Sequence, residues 1–121
     1  MTIEKLLGTL FLSREVSHRE HLKTKSDANH RALEEFYDSI LDCTDAIAEA
    51  YMGRHGVCLD VPILTEETKG KDISTLLRGH LTRVEKYRYT AIERTDTSIQ
   101  GIMDATVAKY LKVLFKLNNL K

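Results

Sequence analysis

Apolar residues recur at three- and four-residue intervals in four separate stretches of this chain, and no other feature restricts its fold as much. Ile3, Leu6, Leu7, Leu10 and Phe11 open the first stretch; Leu33, Phe36, Tyr37, Ile40, Leu41, Thr44, Ile47, Ala48 and Tyr51 carry the second. Ile73, Leu76, Leu77, His80, Leu81, Val84, Tyr87, Ala91 and Ile92 form the third, and Ile99, Ile102, Met103, Thr106, Val107, Tyr110, Val113, Leu114 and Leu117 the fourth. The spacing is that of one face of an α-helix, and it predicts helices over about 2–23, 27–53, 72–94 and 97–117. None of the four can bury its stripe alone, so an all-α four-helix bundle, one domain over residues 1–121, is the natural solution. A single proline and no tryptophan agree with helices throughout.

The breaks between stretches carry their own signals. Ser26 or Asp27 offers an N-cap for the second helix, Gly53 and Gly56 stop it, Asp72 caps the third, and Thr95, Asp96 and Thr97 supply the last turn and cap. Residues 54–71, RHGVCLDVPILTEETKGK, form the one extended connection and hold Pro62. At roughly 3.3 Å per residue this segment can run the length of a bundle, so a long crossover and an ordinary loop both fit. Val57, Leu59, Val61, Ile63 and Leu64 are expected to pack it against the helices.

Lys and Arg balance Asp and Glu at net zero, which argues against a nucleic-acid or anionic-membrane partner. The charges are unevenly spread: six acids and no Lys or Arg lie between Glu34 and Glu49, whereas eleven basic residues against five acids follow from Lys69. Such asymmetry suits complementary faces or a local cation site. Cys43 and Cys58 have no metal-type spacing and read as reduced thiols of a cytoplasmic protein. Glu4 and Lys5 make the apolar start an amphipathic helix rather than a secretory segment, and no run is long enough to span a bilayer.

The second stretch also bears ligand-type residues on one edge of its apolar face: His30, Glu34, Asp45 and Glu49. His18 and His21 can meet that edge from the first helix. His30 and Glu34 are one turn apart, as are Asp45 and Glu49, so each pair can point at a common ion. The two pairs, however, lie roughly 15 to 22 Å apart along one helix, so one ion cannot touch both on a single copy. A site using all of them requires two antiparallel copies of this helix, and hence a two-fold dimer.

This pattern resembles the ferroxidase motif of Dps, the ferritin-like DNA-binding proteins from starved cells. His18, His30, Glu34, Asp45 and Glu49 follow the family's order, and the phrases HLKTKS and HRALEEFYD are similar to its first- and second-histidine segments, as in small phage-encoded members. The resemblance implies a ferritin-like bundle that forms homo-oligomers in a cytoplasm, that of a bacterial host if phage-encoded. It also implies iron, in a di-iron type of site at a two-fold interface, with histidines and first acid from one subunit and later acids from its partner. The family places Trp after its first histidine; here Arg19 follows His18, and the local phrase fits His21 better, so both histidines stand as candidates. Glu34 replaces the usual Asp, and no lysine-rich tail supports DNA binding. The alternative is a non-enzymatic bundle, acting in assembly or on a host protein, in which the histidines are boundary residues and the acids an interface. His80, within the third apolar stripe, is read as lining a core or interface.

Overall fold

The computed structural model describes residues 2–120; Met1 and Lys121, the ends of the expected domain, lie outside the described residues. It is all helical: α1 (Ile3–Lys23), α2 (Asp27–His55), α3 (Ile73–Ala91) and α4 (Thr97–Asn119). Each helix starts at a side-chain cap. Thr2 accepts from the Lys5 amide, Ser26 from Asn29, Asp72 from Ser74 and Thr75, and Asp96 from Ile99. Each cap satisfies an amide that the first helical turn leaves unpaired. Of the two glycines expected to stop α2, Gly53 stays helical and Gly56 ends the helix in the left-handed region at φ 64°, where a Cβ would be strained.

The helices pack as a square. α1 touches α2 and α3, α4 touches α2 and α3, and the pairs α1/α4 and α2/α3 face across the diagonals. All touching neighbours run antiparallel. A three-residue turn joins α1 to α2, and Glu35 meets Lys112 and Lys116 at one end of α2 while Arg54 meets Asp96 at the other. The start of α3, at Ile73 and Leu76, lies beside Val16 and Lys23 near the end of α1. Residues 56–72 therefore run back along α1 as a crossover.

The crossover is seated by Leu59, Val61 and Leu64, which pack on the core; Val57 and Ile63, expected to join them, stay exposed. Ile63 follows Pro62 and faces water beside the seated Leu64. Gly8 makes the close approach, since a Cβ there would lie 3.1 Å from Leu64 and from the Pro62 carbonyl oxygen. Among the described residues no helix is long and apolar enough to cross a membrane.

Candidate functional site

The turn between α1 and α2 brings three histidines together. The rings of His21 and His30 stack with centroids 3.6 Å apart. Each ring's Nδ1 lies 2.8 Å from the other residue's backbone carbonyl oxygen. A carbonyl only accepts, so both Nδ1 atoms carry a proton and donate, and in the neutral ring the lone pair is then on Nε2. Neither Nε2 bonds another of the described residues. His18, one turn before His21, stacks on the Tyr37 ring at 4.3 Å, and its own ring centroid is 6.1 Å from that of His21. Tyr37 meets His21 edge-on at 5.3 Å, and burial, then the charges of Glu34 and Asp38, push its phenol pKa upward. Tyr37 is the partner that helical spacing alone does not single out, because its position is also one of the apolar face.

The carboxylates are placed differently. Glu34, Asp45 and Glu49 are all exposed on the outer side of α2, which is one unbroken helix from Asp27 to His55. The separation between the His30/Glu34 turn and the Asp45/Glu49 turn therefore holds at roughly 15 to 22 Å. Among the described residues, no group of three or more His, Cys, Asp or Glu side chains is placed to hold a metal ion within one copy of the chain. Cys43 is half-buried and Cys58 exposed, and both are free.

A second polar cluster lies inside the bundle. Tyr110 of α4 reaches across the diagonal and donates to Ser13 Oγ of α1 at 2.6 Å; Ser13 in turn donates to Nδ1 of His80 on α3 at 2.7 Å. His80 Nε2 donates to the crossover carboxylate of Glu66, and Phe36 of α2 packs edge-on to the Tyr110 ring at 5.1 Å. All four helices and the crossover thus meet in one layer. His80 is lined by core as its stripe implies, and burial lowers its pKa although the Glu66 carboxylate pulls the other way. Burial likewise raises the Tyr110 pKa far above the ordinary phenol value. Serine, histidine and glutamate in a row suggest a hydrolase triad, but Ser13 is fully buried and its oxygen already receives the Tyr110 proton, so no substrate carbonyl can reach it. The cluster is structural. Its sequence signal is Leu6, Leu10, Ser13 and Ser17 in one helical phase, which carries polar residues onto a core face.

No curated protein and no solved structure matches the chain. A family model does match, over residues 21–117, which takes in His21, His30, Glu34, Asp45 and Glu49 and leaves out His18. With most of its length covered, the chain belongs to DUF5856, a family of unknown function.

Proposed function

We propose that the chain is a ferritin-like, Dps-like protein that binds Fe(II) and oxidises it at a site shared by two copies. His21, His30 and Glu34, with His18 beside them, come from one copy; Asp45 and Glu49 come from the other. The observation that carries this reading is the reciprocal Nδ1–carbonyl pair of His21 and His30. It holds two adjacent imidazoles in the tautomer whose Nε2 binds a metal, with the second nitrogen anchored on a carbonyl as metal-bound histidines usually are. Two histidines and a carboxylate are a donor set that suits Fe(II). The antiparallel square with one long crossover supports the ferritin-like part of the reading, since ferritin-like bundles also use one long crossover. Among the described residues the one carboxylate that reaches the interior cluster, Glu66, is taken by His80, and a single acid does not make a dinuclear centre, so the metal reading belongs to the outer wall of α1 and α2.

Iron is the substrate in this scheme. Two Fe(II) ions each release one electron to a peroxide, whose O–O bond breaks and which takes up two protons to leave as two waters. The carboxylates act by stabilising the Fe(III) product, and the imidazoles by setting affinity for Fe(II). Anaerobic Fe(II) titration followed by peroxide addition tests the reading. Wild-type protein is expected to bind Fe(II) and to oxidise it faster than buffer does. His30→Ala and Glu49→Ala should each weaken binding by about 10-fold or more. Wild-type protein that binds no Fe(II) would falsify the proposal.

One observation favours the second reading, a non-enzymatic bundle for assembly or partner binding. The Arg14 guanidinium lies 5.5 Å from the Tyr37 ring on which His18 stacks, which puts a fixed cation beside the histidines. Metal analysis with native mass separates the two: a metal-free monomer supports the second.

A further inference from the structure

A groove of ≈ 930 Å³ runs between α1 and the crossover, and no histidine lines it. Its walls are Phe11, Leu12 and Val16 of α1, Leu41 of α2, and Val61 and Leu64 of the crossover. Apolar surface is left in water at its rim, where Phe11 is 37% and Ile63 95% exposed. The groove extends along α1 from Gly8 to Arg19, about 16 Å at the helical rise. Its volume falls in the range of sites that enclose small apolar ligands.

Four charged side chains line it: Arg14, Glu15, Arg19 and Glu66. Three are engaged. Arg19 Nε donates to Glu15 at 2.8 Å, while Glu66 accepts from His80 and lies 3.7 Å from Arg83. Arg14 is the exception. Its side chain is only 29% exposed, its nearest carboxylate oxygen is that of Glu15 at 3.6 Å, beyond hydrogen-bond reach, and its Nε is buried with no partner. The Tyr37 ring beside it attracts the guanidinium without supplying an acceptor for its N–H groups. A half-buried guanidinium lacking a hydrogen-bonded anion, at the edge of an apolar groove, is costly unless an anion joins it.

We propose that this groove binds a small monocarboxylate with an unbranched apolar chain, its carboxylate on Arg14 and its chain between α1 and the crossover. The planar guanidinium matches a carboxylate in a two-point contact. A phosphate would bring a second negative charge against Glu15 and Glu66, so a single charge fits better. The site uses neither Fe(II) nor a second copy of the chain.

Calorimetric titration of the full chain with monomeric laurate, with dodecanol as its neutral counterpart, tests this. Laurate is expected to bind saturably, one per chain, and more tightly than dodecanol. Arg14→Gln should weaken laurate by about 10-fold or more and leave dodecanol unchanged. Arg14→Lys, keeping the charge without the fork, should fall between. Ile63→Asp, at a position outside the packed core, should weaken both ligands, and thermal melts confirm that every variant is folded. The proposal is overturned by wild-type protein that takes up no monomeric laurate, by Arg14→Gln protein that binds laurate as wild type does, or by binding that occurs only to phosphatidylglycerol vesicles.

Discussion

At the scale of single residues, His80 has the most demanding position. It is 1% exposed, yet both ring nitrogens are hydrogen-bonded, to Ser13 and to Glu66. Burial outweighs the pull of Glu66 and lowers its pKa below the ordinary 6.5, so the unfolded chain binds this proton more readily than the folded one. The stability contributed is complete above the unfolded value and is lost as pH falls through the folded one. Melting temperature measured from about pH 8 down to about pH 5 should decline below about 6.5 in wild type. His80→Gln, which keeps a donor for Glu66 and loses the Ser13 contact, should be less stable by about 1–3 kcal/mol at neutral pH and flatter in acid. An unchanged acid slope in the variant would move the pH dependence elsewhere. That His80 faces a core was legible from its place among Leu76, Leu77, Leu81 and Val84. Its partners were not, because Ser13 lies 67 positions away and Glu66 sits in the irregular crossover. The histidines show the same divide: the one-turn spacing of His30 and Glu34 can be read in the chain, whereas the stack of His21 on His30 depends on how tightly the α1–α2 turn closes.

At the scale of elements, the α3–α4 corner is held by one glutamine. Gln100 accepts from buried Arg88 and donates toward the carbonyls of Arg88, Ile92 and Glu93, while Arg88 also reaches the Gln100 carbonyl and Asp104. Gln100→Leu leaves a buried guanidinium and several carbonyls short of partners, and should cost about 1–3 kcal/mol in urea unfolding. Adding Arg88→Met should recover part of that loss, since replacing both members of a buried pair by apolar groups is far cheaper than removing one. A double variant no more stable than the single one would show that the corner relies on Arg88 in some other way. The helices themselves were legible, because their apolar phase is sustained over several turns. The corner was not: Arg88 and Gln100 are polar residues at the margins of their stripes, and only the close approach of the helix ends buries them. The path of residues 56–72 was also undecided by spacing, and the fit of Leu64 over Gly8 is what settles it.

At the scale of the whole molecule, the proposed metal chemistry is a statement about symmetry, and it can be tested as one. Mixed dimers of His30→Ala and Glu49→Ala chains combine both defects in one site and leave the other site intact. Mixing the two inactive variants in equal amounts, with subunit exchange, should therefore restore about a quarter of wild-type iron oxidation in a two-fold assembly. No recovery, in variants shown to exchange, would rule out sharing of the site between copies.

The square packing has a further consequence. α1 with α2, and α3 with α4, are hairpins closed by short turns, and the two hairpins meet along α1–α3 and α2–α4 with residues 56–72 as their only covalent link. The same helix contacts form whether the second hairpin comes from its own chain or from a neighbour's. The balance between the closed monomer and a pair that has exchanged halves then rests on loop-closure entropy, which changes slowly with linker length, and on protein concentration. Glu66 belongs to that linker and accepts from His80, so the strap that completes the buried layer also sets how readily two molecules trade hairpins.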